Sequence, residues 1–478
     1  MLDKFKSYIS FKKESSSLEI IKNLQDLKNL QDLKNFKEAK SIFSALENQD
    51  KSNKLMFVGG CVRKLLNKEL VNDIDIATNL SPDELKNILR ENNINFIETG
   101  IAHGTITVVI NEIKFEITTL RKDVSTDGRH ANVEFISDWE MDAKRRDFTI
   151  NAIYSDLKGE IYDPLGGLKD LENKIVKFIG DPNKRIKEDY LRILRYFRFY
   201  TQYSNHQHDI KIIQAIKKNL NGISKISKER ILDELFKILN LNNFYELFND
   251  KFSCSVILAI FPQLKHYGRF RAIQNIPDKI VNRLNIPLIF SILLIDNSDN
   301  CEFFLYKFKF SNRDKNRILF LLNKYKEINI KELLDEQKLV KLAYLDNTAE
   351  IIDLLVFSAF VSEEIDVNTA EKCISFLDKL RLPVFPITAD YLKLKYNFSE
   401  SKELGLALKK LEQSWIDNDF IIDKKEIKNI PINLLINNSD LRKNLAKNGK
   451  KSISKYNLTT ITELKSIFKF FCIAFVQS

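Results

Sequence analysis

The spacing of apolar and polar positions divides the chain into three stretches. Residues 13–50 are polar, with apolar positions at helical intervals. A hexad repeats there, Asn23 to Lys28 and then Asn29 to Lys34, so that Leu24, Leu27, Leu30 and Leu33 recur every third residue. That spacing suits one drifting helix face, and the run is shorter than the roughly three to four heptads that argue a coiled coil. A small duplicated helix is predicted. From 54 to 180 the period changes. Short apolar runs at 55–58, 74–76, 105–110 and 115–119 predict strands, with Asn111 and Glu112 turning a hairpin between the last two. Between them, 82–91 carries a helical pattern, with Ser81 offered as N-cap and Pro82 at the first helical position. Interleaved strands and helices predict an α+β domain. Beyond about 184 helical periodicity dominates, punctuated by Pro262, Pro277, Pro287, Pro383 and Pro386. No internal repeat of solenoid length stands out. The expected organisation is a helical extension over 1–52, a head over 53–180, a neck over 181–245, a helical body over 246–330 and a helical tail over 331–478.

Composition narrows this picture. The chain has 478 residues, with 75 Lys and Arg against 65 Asp and Glu, a formal net charge of +10. Such a balance permits a polyanionic partner without identifying one. With 13 Gly and 9 Pro, Gly-rich β and collagen-like architectures are excluded. The longest apolar stretches, 286–295 and 354–361, fall short of the roughly 18 residues of a membrane span and predict core helices. Cys61, Cys254, Cys301, Cys373 and Cys472 are scattered, odd in number and form no CxxC pair. A disulfide framework or thiolate zinc site is therefore not expected, and a reducing cytosol is. Residues 1–12 lack the apolar core of a signal peptide, which agrees with a cytoplasmic protein. His206 and His208 lie close together, but no second cluster completes a transition-metal site.

Candidate chemistry concentrates at Asn72-Asp73-Ile74-Asp75-Ile76. On a strand, alternate residues share a face, so Asp73 and Asp75 present two carboxylates while Ile74 and Ile76 enter the core. Two like charges raise each other's pKa unless a cation sits between them, and hard oxygen ligands of this kind suit Mg²⁺. The other reading is a solvated strand edge. Glu116, in a second predicted strand with apolar neighbours, is a candidate third carboxylate; it also reads as a structural strand residue. Val58-Gly59-Gly60 follows an apolar run and precedes a helical pattern. Glycines at such a turn let backbone N–H groups, Gly60 included, approach a phosphate, and Arg63 adds a charge-assisted contact. No GxxxxGK[ST] or GxGxxG motif is present.

Val58-Gly-Gly-Cys-Val-Arg63 followed by Asp73-Ile-Asp75 resembles the nucleotidyltransferase head of the class II tRNA nucleotidyltransferases, the CCA-adding enzymes, which bacterial poly(A) polymerases share. Further blocks follow in the family's order. Thr99 to Thr105 resembles the strand after the metal motif. Arg121-Lys-Asp123 with Asp127-Gly-Arg-His130 resembles the flexible loop. Arg145-Arg-Asp-Phe-Thr-Ile-Asn-Ala152 is very similar to the RRDFTxNA block. Asp163 to Asp170 resembles the hinge block, and Glu188-Asp-Tyr-Leu-Arg-Ile-Leu-Arg195 the EDxxRxxR neck helix. The likeness is strong over 53–245, loose over 246–426, and does not clearly reach 1–50 or 430–478. One position departs: Lys64 stands where the family usually has Asp, reversing a charge. It reads either as drift at a helix surface or as altered nucleotide handling.

The resemblance implies a polymerase-β-like head with a mixed sheet, followed by an all-α neck, body and tail. It implies attack by a tRNA 3′-hydroxyl on the α-phosphate of CTP or ATP, with pyrophosphate released. Asp73 and Asp75 are implied as catalytic ligands of Mg²⁺, and Arg146 and Asp147 as contacts to ribose and phosphates. Asp189 and Arg192, at i and i+3 of the neck helix, are implied to read the base. An Asp accepts from an exocyclic amine and an Arg donates to ring acceptors, the pattern that cytosine and adenine share and uracil and guanine reverse. A surface ion pair is the reading without the resemblance. Arg195 and Arg198, further round the helix, are expected to reach phosphate. Arg121, Asp123, Asp127 and Arg129 are the charged candidates of the loop. The helical remainder is expected to bind tRNA by shape, with lysines at 409–410, 424–425 and 447–455 available to phosphates. Poly(A) addition, CC-only or A-only addition, and an RNA-binding protein with an inactive head stand as alternatives. The Thr99–Thr105 block and the loop pattern favour CCA addition, and retention of Asp73, Asp75, Asp189 and Arg192 speaks against an inactive head. The 206–209 string, without partner histidines, does not suggest a phosphohydrolase domain.

Overall fold

The computed structural model describes residues 30–422, apart from 48, 49, 51, 70, 72, 128, 129, 297 and 397–401. The first hexad, Asn72, Arg129, Cys472 and the lysines at 424–425 and 447–455 lie outside the described residues. The chain divides into two compact units. One runs to Arg271 and includes Leu293–Ser311; the other comprises Ala272–Ile292 and the residues from Asn312 on.

The first unit is built on a seven-stranded mixed sheet. Its strands are β1 (Leu55–Val58), β2 (Ile74–Thr78), β3 (Phe96–Gly100), β4 (Thr105–Ile110), β5 (Ile113–Thr119), β8 (Tyr154–Ser155) and β9 (Ile161–Tyr162), in the order β3-β4-β5-β2-β1-β8-β9. Only the β2–β5 pairing is parallel; the rest are antiparallel. The hairpin between β4 and β5 turns at Asn111 and Glu112, both at positive φ (49° and 68°). Positive φ at both central residues is the signature of the two-residue turn that matches strand twist. The helix Pro82–Glu91 begins with the predicted cap, elaborated into a capping box: Glu84 N–H donates to Ser81 Oγ, and Ser81 N–H to Glu84 Oε2 at 2.8 Å.

Three features differ from the pattern reading. The stretch 121–140, expected as a loop, instead carries a two-stranded ribbon of β6 (Arg121–Asp127) and β7 (His130–Phe135), separate from the main sheet. β3, β8 and β9 were not anticipated as strands. The helical lead-in is built into the head: helix α1 (Leu30–Glu47) buries Ala39, Ile42, Phe43 and Leu46 completely. The Phe43 ring lies 5.0 Å from that of Phe57 on β1, and Asn111 Nδ2 donates to Glu38 Oε1 at 2.8 Å. Phe43→Ala is therefore expected to cost about 3–5 kcal/mol, the range for truncating a buried aromatic, measured by urea unfolding. A surface appendage would show no such loss.

Helices follow the head. Helix α2 (Gly60–Leu66) and helix α3 (Trp139–Arg145) flank the sheet. Helix α4 (Gly167–Glu172) approaches so closely that a Cβ on Gly167 would collide with the Thr149 carbonyl, which accounts for glycine in the hinge block. The neck continues as α5 (Pro182–Glu188), α6 (Arg192–Tyr203), α7 (Ile210–Asn219) and α8 (Lys228–Leu239). Every element among the second unit's described residues is a helix, with 380–388 an irregular connection. Its central helix, Thr348–Val361, buries every residue from Ile351 to Phe360, and Arg317 pairs with the buried Asp353. Among the described residues no helix is long and apolar enough to cross a membrane, and no cysteine forms a disulfide.

Candidate active site

Asp73 and Asp75 emerge as the strand pattern requires. Ile74 and Ile76 are buried, Asp75 is half-buried and Asp73, just before β2, is exposed. Parallel pairing sets Asp75 directly beside Glu116 of β5. Burial pushes the Asp75 carboxyl up to about 6, and the charges of Glu116 and Asp73 add to it against the pull of Arg146 and Arg63. A bound cation relieves that repulsion. Among the described residues, however, no three acidic, His or Cys side chains gather closely enough to hold a metal, so Glu116 does not complete a three-ligand cluster with the aspartates. Two carboxylates completed by substrate phosphates match the usual Mg²⁺ arrangement, and the donor set fits that ion.

The strand-to-helix turn is shaped by Gly59, whose φ of 72° disfavours a side chain. A Cβ at Gly60 would stand 4.0 Å from Asp75 Oδ2. Lys64 sits one helical turn beyond Gly60 and lines the same cleft. Below the turn, Cys61 is buried, its Sγ donating to the Val58 and Asp75 carbonyls; burial pushes the thiol up to about 11. Arg63 is buried in the cleft wall. Its guanidinium lies 4.6 Å from the Phe199 ring centre and 5.0 Å from that of Tyr203, Nη1 donates to Asn151 Oδ1, and Nε has no protein partner.

The RRDFTxNA block forms the opposite wall. Asp147 is buried: Oδ1 accepts from Phe148 N–H (2.9 Å) and Asn151 Nδ2 (2.8 Å), and Oδ2 accepts Arg195 Nε (2.7 Å) and Nη2 (2.6 Å). Burial alone would raise its pKa, but Arg195 and Asn151 hold it well below the carboxylate range. Arg146 Nε and Nη2 donate to Asp142 Oδ2 at 3.2 and 3.1 Å, and Nε also to Tyr154 Oη. Asp142 escaped the sequence reading. Within a run of three acids followed by three bases it looks like an ordinary helix-surface acid, yet it is 1% exposed.

The neck corrects one expectation. Asp189 and Arg192 do not share one continuous helix. Asp189 ends α5 in an extended conformation (φ −152°, ψ 107°), and α6 starts at Arg192. The break is an Asx turn: Asp189 Oδ1 accepts Leu191 N–H at 3.1 Å, competing with the helical ladder. The two side chains do not pair. Arg230, from α8, donates to Asp189 Oδ2 at 2.7 Å, while Arg192 Nη1 donates to the Arg185 carbonyl (2.9 Å) and to Glu188. Arg198 is bound to the buried Glu234 of α8 and lies over the Phe199 ring at 4.2 Å. Arg195 and Arg198 thus already have carboxylate partners. Arg230, Glu188 and Glu234 were not singled out from sequence, since they lie outside the quoted blocks or were read only as part of one. Of the ribbon candidates, Arg121 and Asp123 line the cleft, with Arg121 Nη1 donating to the His103 carbonyl; the Asp127 side chain and Arg129 lie outside what is described. His208 is taken up structurally, bonded to Tyr196 Oη, Asp250 and Ser253.

These walls enclose a cleft of about 640 Å³. It brings together Asp73, Asp75, Gly60, Arg63, Arg146, Asp147, Asp189, Arg192, Arg195 and Arg198, while Glu116 stays outside its lining. Eight arginines face six acidic side chains around it, a surplus that suits a polyanionic ligand. Fold and cleft together define a nucleotidyltransferase. Residues 55–177 match the poly A polymerase head domain, and 209–267 match the probable RNA and SrmB-binding site of polymerase A. The mitochondrial CCA tRNA nucleotidyltransferase 1 of Danio rerio is 34% identical over 394 residues, covering 79% of this chain and 87% of that protein. The human counterpart is 33% identical, covering 79% and 86%. The structure also resembles a Bacillus stearothermophilus CCA-adding enzyme in complex with CTP (TM-score 0.61, 24% identity, 86% of this chain and 99% of that one). The chain belongs to the family of CCA tRNA nucleotidyltransferases.

Proposed function

We propose that this enzyme adds C, C and A to the 3′ end of tRNA from CTP and ATP, without a nucleic-acid template and with release of pyrophosphate. The observation that carries the reading is the placing of Asp73 and Asp75 in one cleft with Arg146, Asp147, Asp189 and Arg192. Asp73 and Asp75 hold Mg²⁺, which when bound neutralises phosphate charge and activates the 3′-hydroxyl. Arg146, oriented by Asp142 and Tyr154, meets the triphosphate. Asp147 and Arg195 form a clamp that ties the head block to α6. The hydroxyl oxygen bonds to the α-phosphorus as the bond to the pyrophosphate oxygen breaks, so the residues contribute positioning and charge neutralisation.

Asp189 is oriented by two donors from the protein, Leu191 N–H and Arg230, and its oxygens keep lone pairs for an exocyclic amine. Arg192 engages its protein partners through Nη1, which leaves the Nη2 edge to a ring acceptor. The helical body and tail supply the tRNA surface, including the exposed Lys409 and Lys410. For compartment we propose the cytosol, on the scatter of the five cysteines.

Labelled CTP and ATP, supplied separately and together with Mg²⁺ to tRNA lacking its 3′ CCA, test this. Two C additions and one A addition are expected. Long A tails without use of CTP would select poly(A) polymerase, and intact tRNA binding without incorporation would sink the enzyme reading.

A further inference from the structure

Asp142 makes more polar contacts than any role at a helix surface requires. Its Oδ1 accepts Arg145 Nε at 2.8 Å and the backbone N–H of Arg121 at 3.4 Å. Its Oδ2 accepts Tyr154 Oη at 2.7 Å together with the Arg146 guanidinium. The carboxylate is 1% exposed, so no substrate touches it. Burial opposes its ionisation, but Arg146 and Arg145 hold its pKa down at about 2, so it stays charged. Three elements meet on this one group. Arg121 is the first residue of the β6–β7 ribbon, Arg145 and Arg146 close α3 and line the cleft, and Tyr154 stands on β8 of the main sheet.

We propose that Asp142 is a positioning residue that joins the ribbon to the cleft, so that the ribbon's placement and the orientation of Arg146 toward the triphosphate are set together. This rests on the nucleotidyl-transfer reading. The two oxygens divide the task. One holds the ribbon's first amide beside Arg145, and the other holds Arg146 with Tyr154. A displacement of the ribbon's base turns the carboxylate, and the turn reaches Arg146 through hydrogen bonds about 3 Å long. A group that only filled space in the core would need neither the charge nor both oxygens. The remainder of the ribbon's base is anchored independently, since Ile136 N–H donates to the Leu120 carbonyl at 2.9 Å. Loss of Asp142 therefore loosens the coupling without detaching the ribbon.

Amide hydrogen exchange of the full chain, with and without CTP and Mg²⁺ and in the absence of tRNA, tests the joint. In the wild-type protein CTP is expected to slow exchange both in the ribbon strand 121–127 and in the neck helix 192–203. Asp142→Asn should lose the ribbon response and keep that of the neck, and should raise KM for CTP and ATP about tenfold, as expected for hydrogen bonds to charged groups, with tRNA affinity unchanged. Tyr154→Phe, which removes one bond to the same oxygen and one from Arg146 Nε, should move KM the same way by about threefold and serves should Asp142→Asn fail to fold. Retention of the ribbon response in Asp142→Asn, or unchanged KM in both variants, would overturn the proposal. Absence of any response to CTP or ATP in either segment of the wild type would instead overturn the nucleotidyl-transfer reading.

Discussion

Asp75→Asn is expected to lower CTP incorporation on the order of 10³-fold while leaving the fold and tRNA affinity in place. In the proposed mechanism Asp75 is one of two carboxylates that hold the metal, and an amide does not replace its charge. The same substitution should stabilise the metal-free protein. The folded pKa of Asp75 is about 6, against 3.8 for the ordinary group, because burial and then the neighbouring Glu116 oppose its charge. Below pH 3.8 both folded and unfolded chains carry the proton, and the group costs nothing. As pH rises through 6 the folded chain must carry the charge as well, and the whole cost is present above that point. Urea unfolding in EDTA should therefore show Asp75→Asn more stable than wild type at pH 7, with the gap closing toward pH 4. A variant that is both less active and less stable at pH 7 would mean that Asp75 has a structural role.

Asp189→Ala is the second large effect. Selection of C and A without a template needs an acceptor for the exocyclic amine, and Asp189, the acceptor proposed, is held from two sides. Removing it should reduce the preference for CTP over UTP on the order of 10²-fold, because a site built to pair a polar group discriminates far more strongly than one relying on shape. Mg²⁺ binding should be unchanged. Arg230→Ala should weaken the preference less, since Leu191 N–H still orients the other oxygen. Unchanged discrimination in Asp189→Ala would refute the base-reading role.

Much of this was legible because it follows from local rules. The cap at Ser81, the turn at Asn111 and Glu112, and the alternation that buries Ile74 and Ile76 on either side of Asp75 each follow from residue type and strand period. What was hidden has physical reasons. The i, i+3 spacing of Asp189 and Arg192 is the same whether the backbone is helical or broken, and only the competing Asx turn decides. Of the ribbon's strands, β6 is polar on both faces and carries no period of two, whereas the alternation of Ala131, Val133 and Phe135 with His130, Asn132 and Glu134 in β7 was legible and was passed over. Asp142 gained its partners from distant segments, Arg121 and Tyr154, which no window around it contains. Arg192 and Arg195 were picked out for substrate, and each is found holding a carboxylate of the protein.

The strand order also constrains synthesis. β1 lies between β2 and β8, and β8 is extended by β9, which ends at Tyr162. A ribosome that has finished β1 must add just under a hundred further residues before β8 is made, roughly 5–20 s at the usual speed of translation. During that interval the nascent head exposes an unpaired β1 edge of Leu55, Met56, Phe57 and Val58, an apolar template for mispairing. Helix α1, made first and packed on Phe57 through Phe43, is available to shield that strand from the moment both have left the exit tunnel.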